Sequence, residues 1–329
     1  MKERDSNFEL LRIIAMLFIV TWHISIHAQN GELESHGYIT AICTTGVNIF
    51  ILISGYFNIR TTWKSILTLY GTFVFYYITT IALNWYIFGE TPHAKSVLAL
   101  FSPTTHSPWW FIACYMQLQL LSPLINNLLS TSNEKMYAYT IGILLFISCY
   151  SGFVFQNQIN ITGYNIFNFI TIYAIGDAIR KYNIQNWLSP KFWFGLYLVA
   201  TICMFIASQI EIQRIIFYNN PLLIASSICL FCLISRFRIS NKKINIIATY
   251  MLPLYLLQES TLGYNVYKYL VQRGKNLDFT GFDYYCLLWK YLLGLFACAI
   301  IADFIRRQIL NKPTNFISKF LDKKMNLFH

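Results

Sequence analysis

Arg12 and His23 are the two side chains in this sequence whose types and spacing most directly suggest chemistry. They lie eleven residues apart in the apolar run that follows the N-terminus. In an α-helix this spacing comes to about 20° past three full turns, so both side chains share one face, about 16 Å apart along the axis. A guanidinium binds anions and an imidazole exchanges protons near neutral pH, so the pair suits an anionic reactant.

Glu259, Asn48 and Ser54 are further polar residues that interrupt apolar stretches. Glu259 falls in the run MLPLYLLQESTLGY, where a carboxylate faces a partner or a cavity unless it reaches the outer headgroups of a membrane. Asn48, in GVNIFILISGYF, needs a hydrogen-bonding partner within a helix bundle. Ser54 in the same run, with Gly46 and Gly55, is small enough to let two helices approach closely, so packing is the simplest interpretation of this segment.

The composition of the chain explains the setting of these polar residues. The protein has 329 residues, of which 56% are hydrophobic and 12% are charged, whereas soluble domains carry about 25% charged residues. So little charge cannot cover the surface of a soluble globule of this size. The sequence therefore predicts an all-α polytopic membrane protein and excludes an ordinary soluble fold.

Ten apolar segments approach the roughly 20 residues that a helix needs to cross a bilayer. The predicted spans are 8–27, 37–57, 66–88, 108–129, 137–155, 164–180, 192–209, 217–235, 244–270 and 284–305. Pro123 is expected to break the fourth helix, and Pro253 to kink the ninth. No polar stretch is long enough for a soluble domain. This predicts a single integral-membrane domain over residues 1–329, with spans from about 8 to 305 and a basic tail over 306–329.

The basic residues indicate the orientation of the chain, and no nucleic-acid partner is needed to explain them. Lys and Arg number 25 against 14 Asp and Glu, which gives a net charge of +11. With ten spans and the N-terminus inside, 19 of the 25 basic residues fall in cytoplasmic segments, as the positive-inside rule expects. Both termini are therefore predicted to be cytoplasmic, with the basic tail along the anionic inner leaflet.

In this topology Arg12 lies at the cytoplasmic boundary and His23 in the outer half of the membrane. Arg12 could be an anchor whose charged end extends to the membrane surface, and His23 could be a hydrogen-bonded structural residue. Their shared face favours a functional pair instead. Arg12 would be a cation at the cytoplasmic mouth of a polar channel, and His23 a general base deeper inside, for an anionic cosubstrate that enters from the cytosol.

Other polar and sulfur-containing residues have structural interpretations. Asp177 with Arg180, and Asp303 with Arg306, are predicted to form local ion pairs at cytoplasmic helix ends. The eight cysteines lie in apolar stretches and predict no disulfide framework. No metal site is predicted, because the histidines near the predicted outer loops lack the spacing of zinc motifs such as HExxH: His27, His36, His93 and His106.

Four segments, in order, resemble the acyltransferase-3 family of integral-membrane acyltransferases, which O-acylate surface polysaccharides and similar acceptors. NFELLRIIAMLFIVTWH resembles its first helix, marked by an arginine and a histidine with ten residues between them, here Arg12 and His23. GVNIFILISGYF is similar to its second-helix pattern, and WWFIACYMQLQLLSPLI to its Trp-Phe and Leu-Ser-Pro stretch. LPLYLLQES resembles its late Tyr-Leu-Ile-His-Glu segment, which places Tyr255 and Glu259, with Gln258 where the family often has histidine.

The resemblance implies an acyl-CoA donor, most often acetyl-CoA, on the cytosolic side. Because this cosubstrate is polyanionic, Arg12 is expected to bind its phosphate or pantetheine-linked groups. Our hypothesis is that Asn48 and Ser54 position its thioester. His23 would act as general base toward an acceptor hydroxyl, or would pass the acyl group on. Glu259 would orient His23 or stabilise its cationic form.

The predicted function is therefore that of a membrane-bound O-acetyltransferase in a bacterial cell membrane. It would transfer an acetyl group from acetyl-CoA to a hydroxyl of a cell-surface polysaccharide or of its lipid-linked precursor. The acceptor stays open among capsule, exopolysaccharide, lipopolysaccharide O-antigen, teichoic acid and peptidoglycan. The predicted partners are the acyl-CoA donor, the glycan or lipid-linked sugar and the membrane lipids, with no metal and no nucleic acid.

Two functions of other classes fit the same spans and buried polar groups. One is a transporter or flippase for a glycan or a small metabolite, although the sequence shows no internal repeat of the kind that transporters often carry. The other is a scaffold in a polysaccharide assembly complex, for which Arg12 and His23 would be dispensable. Transfer of a labelled acetyl group separates the enzyme from both.

Overall fold

A computed structural model describes residues 5–28, 37–92, 94–104, 109–210, 213–276 and 281–325 of the protein. In these ranges the chain is helical and forms no β-strand, which confirms the all-α prediction. The α-helices are α1 (Ser6–Ala28), α2 (Gly37–Cys43), α3 (Thr45–Phe57), α4 (Trp63–Phe88), α5 (Ala94–Phe101), α6 (Trp110–Thr131), α7 (Glu134–Leu145), α8 (Ile166–Lys181), α9 (Pro190–Gln209), α10 (Pro221–Ser235), α11 (Lys242–Ala248), α12 (Met251–Gln258), α13 (Thr261–Asn276) and α14 (Gly281–Met325). A π-helical segment, Phe146–Val154, continues α7, and short 3-10 turns form at Ile184–Asn186 and Gln213–Ile216.

Side-chain caps fix where several of these helices begin. At the start of α4, Thr62 and Ser65 form a capping box in which each hydroxyl accepts a hydrogen bond from the backbone N–H of the other residue. Ahead of α8, the Asn165 side chain accepts a bond from the N–H of Asn168. These bonds satisfy backbone donors that have no partner inside the helix, and so define the first turn.

Six helical segments in the described ranges are long and apolar enough to cross a membrane, judged by length and composition. They are Ser6–Ile24, Gly37–Phe57, Trp63–Phe88, Glu134–Val154, Pro190–Gln209 and Arg214–Ser235. Each corresponds to one of the ten predicted spans, within a few residues at either end. The total of about ten spans and the cytoplasmic position of both termini stay predictions.

The expected break at Pro123 is wrong, because α6 continues through this residue to Thr131. A proline has no N–H, so it leaves the carbonyl four residues earlier, that of Gln119, without its usual donor. The hydroxyl of Ser122 donates to this same carbonyl at 2.9 Å. A neighbouring serine thus replaces the hydrogen bond that the proline removes, as happens in membrane helices that contain proline.

The ninth predicted span, 244–270, is wrong as a single kinked helix, because the chain forms three separate helices there: α11, α12 and α13. Pro253 is the third residue of α12. In this first turn the missing N–H would have no intrahelical partner, so the proline starts a helix without bending it. The break between α12 and α13 falls at Glu259 and Ser260 instead.

The predicted basic tail, 306–329, is not separated from the helix that precedes it. α14 continues without interruption from Gly281 to Met325, with Pro313 inside it. Residues 326–329 lie outside the described residues. The predicted contact of the tail with the inner leaflet stays a prediction.

The residue contacts divide the chain into two compact units. The first comprises Met1–Ser25, Glu34–Arg60 and Gln117–Ala248, and the second comprises Ile26–Leu33, Thr61–Met116 and Thr249–His329. The first unit therefore holds α2, α3 and α7–α11 with most of α1 and α6. The second holds α4, α5 and α12–α14. The single domain over residues 1–329 stays a prediction.

In the first unit α3 packs closely against its neighbours because glycines replace larger side chains at the contacts. A Cβ added to Gly46 would lie 2.6 Å from the carbonyl oxygen of Ala15 in α1. A Cβ added to Gly55 would lie 2.8 Å from the carbonyl carbon of Tyr173 in α8. Both distances are too short for real atoms, so only glycine permits these helix approaches. The prediction that Gly46 and Gly55 serve helix packing is confirmed.

The two predicted acid–base pairs are confirmed as ion pairs, but only Asp177–Arg180 lies at a helix end, because α14 continues to Met325, well past Asp303 and Arg306. In α8, Asp177 contacts Arg180 at 2.5 Å, and the hydroxyl of Tyr137 donates to the other carboxylate oxygen of Asp177 at 2.7 Å. In α14, Asp303 contacts Arg306 at 2.7 Å. Both aspartates are buried, so the basic partner compensates a charge that would otherwise be costly to enclose.

Candidate active site

The start of α1 is hydrogen-bonded to the segment that follows α10, and these bonds help to position Arg12. The backbone N–H of Ser6 donates to the carbonyl of Ile239 at 3.1 Å. The Ser6 hydroxyl accepts a hydrogen bond from the N–H of Asn241 at 2.9 Å. Arg12 follows less than two turns later on the same helix. The beginning of α1 is therefore held by long-range hydrogen bonds as well as by apolar packing.

Arg12 forms an ion pair with Glu9, one turn earlier on α1. The Arg12 guanidinium donates to the Glu9 carboxylate at 2.8 Å. The Glu9 side chain is only 8% exposed, whereas that of Arg12 is 34% exposed. One contact leaves most of the five N–H donors of a guanidinium available for a ligand. The arrangement holds Arg12 in place while a third of its surface stays accessible.

His23 lies toward the other end of the same helix. It is partly exposed, between the buried residues Trp22 and Ile24. Since α1 is continuous from Ser6 to Ala28, the helix places Arg12 and His23 on one face at the separation expected from their spacing. The continuity of α1 meets the condition on which this pairing depends, and the functional role of the pair stays a prediction.

Asn48 is enclosed near the start of α3. It is 1% exposed, and its amide nitrogen donates to the carbonyl of Tyr218 at 3.0 Å. Within the described part of the chain, its Oδ1 has no hydrogen-bond partner. The bond to Tyr218 agrees with a structural role in the bundle, which the sequence left open. The predicted contact of Asn48 with the donor stays a prediction.

Ser54 lies near the end of α3 and is partly exposed. Its hydroxyl donates to the carbonyl of Phe50, one turn earlier, at 2.9 Å. The predicted role of Ser54 toward the thioester stays a prediction.

Glu259 occupies the break between α12 and α13. Its backbone N–H donates to the carbonyl of Tyr255 at 2.9 Å and ends the first helix. The hydroxyl of Ser260 then accepts from the N–H of Gly263 at 3.0 Å, which caps the second helix. The side chain of Glu259 is partly buried. Glu259 thus stands where helical hydrogen bonding is interrupted, which hydropathy alone does not indicate.

Trp109 holds the backbone at this break. Its indole N–H donates to the Glu259 carbonyl at 3.0 Å, and the residue is 1% exposed. The indole ring meets the rings of Phe73 and Tyr77 edge-on, with centroids 5.6 and 5.7 Å away. All four residues belong to the second unit. Trp109 is a positioning residue for Glu259 that the sequence analysis did not identify.

Four of the five predicted site residues lie on α1 and α3 in the first unit, where the two helices are in contact. The ring of Phe8 lies 4.9 Å from that of Tyr56, and Ala15 approaches Gly46. Arg12 lies between these two contact points along α1. The fifth residue, Glu259, belongs to the second unit, and its predicted action on His23 stays a prediction.

Glu9 is the other residue at the site to which the sequence analysis gave no role. The sequence did contain a signal for the Glu9–Arg12 ion pair. An acidic residue three positions before a basic one on a helix is the pattern that correctly predicted the pairs at Asp177 and Asp303. Among the described residues, no group of three or more His, Cys, Asp or Glu side chains is placed to hold a metal ion. His36, His93 and His106 lie outside the described residues, as does the side chain of His27.

Comparison with known proteins identifies a family that covers nearly the whole chain. A family model described as an acyltransferase domain, Acyl_transf_3, matches residues 5–319. No curated protein and no solved structure gives a significant match. The matched range includes most of both units and every residue assigned to the candidate site. The chain is thus a multi-pass membrane protein that belongs to the acyltransferase-3 family.

Proposed function

We propose that this acyltransferase is an O-acetyltransferase that moves an acetyl group from acetyl-CoA to a hydroxyl of a cell-surface polysaccharide or of its lipid-linked precursor. The observation that carries the proposal is the placement of Arg12 and His23 on one face of the continuous helix α1. The family match extends over both residues. A cation and a base on the same helix face suit a reaction in which the cation binds an anionic donor and the base assists transfer of its acyl group.

Arg12 supports the donor end of the proposal. Coenzyme A is polyanionic, and a guanidinium binds phosphate through short, charge-assisted hydrogen bonds. The buried Glu9 carboxylate holds the Arg12 side chain, which is 34% exposed. Preorganisation of this kind lowers the entropy lost when a ligand binds. Since the start of α1 is predicted to be cytoplasmic, we propose that the donor binds on the cytosolic side of a bacterial cell membrane.

His23 supplies the base in the proposed reaction. It takes the proton from the acceptor hydroxyl as the oxygen attacks the carbonyl carbon of the thioester. The carbon–sulfur bond breaks, the acetyl group stays on the acceptor oxygen, and the proton is returned to the coenzyme A sulfur. Residues 22 and 24 on either side are buried, which supports a partly desolvated setting for this proton transfer.

Glu259, Asn48 and Ser54 have supporting roles in the proposal. Glu259 orients His23 or stabilises its protonated form. Irregular backbone at membrane depth occurs where it lines a polar cavity or is covered by protein, so the helix break at Glu259 supports a site there. Asn48, whose Oδ1 is without a partner among the described residues, and Ser54 position the thioester.

Labelled acetyl-CoA tests this function. Membrane vesicles that contain the protein are incubated with acetyl-CoA labelled in the acetyl group, and the glycan and lipid fractions are collected. The proposal predicts label in a glycan or a lipid-linked sugar, as a base-labile ester. Movement of the glycan across the vesicle membrane without label would favour the transporter instead. Label that is incorporated equally without the protein would contradict the proposal.

A further inference from the structure

The second unit contains a long apolar groove on α4, α13 and α14. Its volume is about 700 Å³, which is within the range of binding sites for small molecules. The small residues Gly294, Cys298 and Ala302 form a stripe along α14 on this groove. An added Cβ at Gly294 would meet no atom within 4 Å. The groove is therefore open because side chains are short there.

The length of the groove exceeds the depth of one leaflet. On α14 its lining extends from Leu287 to Ile305, a distance of about 27 Å along a helix. The hydrocarbon core of one leaflet is about 15 Å deep, half of the usual bilayer thickness. A membrane phospholipid, whose chains end at the midplane, would leave part of such a groove empty. A single hydrocarbon chain that continues past the midplane would fill it.

Basic side chains lie near one end of the groove, where its lining on α14 begins at Leu287. Lys290 lines it and is exposed. On α13 the lining residues Leu262, Val266 and Leu270 form one helical stripe, and Arg273 continues this stripe one turn further. The exposed Trp289 beside Lys290 is typical of a membrane interface. An anionic headgroup at this level would meet two cations while its chain enters the groove.

The charge distribution along the chain supports a function for these cations. In the predicted topology only six Lys and Arg residues are outside, and four of them fall between 268 and 290. Membrane proteins tend to have few basic residues on the outer side. A local excess there, at the mouth of an apolar groove, suits the recognition of a phosphate at the outer interface.

We infer that the groove binds the hydrocarbon chain of a lipid-linked acceptor, a long single-chain lipid phosphate whose headgroup lies at Arg273 and Lys290. This inference depends on the proposed function, because it selects the lipid-linked precursor over the finished polysaccharide as the substrate class. The chain would hold the acceptor sugar at the outer side of the second unit, which also contains Glu259.

Photo-cross-linking tests the groove without relying on catalysis. The purified protein in nanodiscs is exposed to a polyprenyl phosphate that carries a diazirine at the end of its chain, and the cross-linked peptides are identified by mass spectrometry. We expect adducts on the part of α14 between residues 294 and 305. Gly294→Leu fills the groove and should lower adduct formation about tenfold, because the leucine side chain occupies space that the hydrocarbon chain needs.

The chain offers matched controls for both parts of the site. Gly142 on α7 also has no atom within 4 Å of an added Cβ, so Gly142→Leu should leave the adducts unchanged. Lys290→Gln and Arg273→Gln should each weaken binding of the phosphate about fivefold and binding of the uncharged polyprenol little. Lys268→Gln, on the opposite face of α13 from the stripe, should change neither.

Several results would overturn the inference. One is competition by phosphatidylglycerol as strong as that by unlabelled polyprenyl phosphate, which would identify an ordinary membrane lipid. Another is Gly294→Leu adduct formation at the level of Gly142→Leu. Labelling of a glycan by acetyl-CoA with no cross-linking in the groove would reject lipid binding in the groove and leave the proposed function intact. Specific cross-linking without any acetyl transfer would support the groove and reject the function.

Discussion

At the scale of single residues, the candidate site depends on side chains that are held in place by a second residue. Glu9 holds Arg12 at 2.8 Å, and the indole of Trp109 holds the carbonyl of Glu259 at 3.0 Å. Such supporting contacts keep the acting groups in a productive geometry. Substitution of Arg12 should therefore show its effect on donor binding, and substitution of Trp109 its effect on the position of Glu259. Both effects should be separable from changes in stability.

Arg12→Gln should raise the KM for acetyl-CoA about tenfold or more with a smaller change in kcat, since a lost hydrogen bond to a charged group costs about 1.5–3 kcal/mol. Arg12→Lys keeps the charge and should recover part of the loss. Steady-state kinetics in vesicles measure both constants. Arg180→Gln is the matched control, because Arg180, like Arg12, pairs with an acidic residue three positions earlier. An equal rise in KM for both glutamine variants would reject a specific role of Arg12 in donor binding.

Trp109→Phe keeps an aromatic ring but removes the N–H that bonds to Glu259. We expect a loss of about 1 kcal/mol in stability, visible as a Tm lower by about 2 °C, together with a clear loss of acetyl transfer. In Trp193→Phe an equivalent bond to the Gln185 carbonyl is removed in the first unit. This control should lose similar stability but keep its activity, and equal losses of activity in both variants would contradict the positioning role.

At the scale of the helices, single hydrogen bonds decide where a helix continues and where it ends. α6 passes through Pro123 because the Ser122 hydroxyl bonds to the Gln119 carbonyl. The chain stops being helical at Glu259, within the predicted ninth span, and Ser260 caps the next helix. Local polar contacts therefore decide helix boundaries within apolar sequence.

A double-mutant cycle tests the compensation at Pro123. Ser122→Ala should destabilise the protein by about 1 kcal/mol, because the Gln119 carbonyl loses its donor. In the background of Pro123→Ala, which restores a backbone N–H, the same serine change should cost much less. Thermal unfolding in detergent of the four proteins gives the coupling. An equal cost of Ser122→Ala in both backgrounds would show that the hydroxyl does not replace the missing bond.

The spans that could be predicted from sequence are those with long apolar runs and no internal cap. The bounds of α1, α4 and α9 follow the predicted segments closely, because a helix must continue as long as apolar residues do. The region 244–270 could not be predicted, since hydropathy does not register a cap at Ser260 or the position of Pro253 in a first turn. The Trp109 contact joins residues 150 positions apart, and no local pattern contains that information.

At the scale of the whole molecule, the low charge content and the family match agree on a multi-pass membrane acyltransferase. Two units divide the predicted site residues, with Arg12 and His23 in the first and Glu259 in the second. The uneven distribution of basic residues predicts the orientation of the chain and, with it, the side on which each substrate binds.

Reporter fusions test this orientation. Green fluorescent protein fused after His329 should fluoresce, and alkaline phosphatase fused at the same position should be inactive, since ten spans return the C-terminus to the cytoplasm. Phosphatase fused after Gly89, at the end of α4, should be active. An active phosphatase at His329 would mean an odd number of spans and would place the basic residues of α14 outside.

The central claim is that His23 is the base for acetyl transfer to a surface glycan, and NMR of surface glycans from cells tests it most directly. Cells that lack the protein should lose an O-acetyl signal, the wild-type protein should restore it, and His23→Ala should leave it at least about a hundredfold reduced. Leu17→Ala, a change at an exposed residue of the same helix, should restore the signal. A full O-acetyl signal with a membrane-inserted His23→Ala protein would contradict the account.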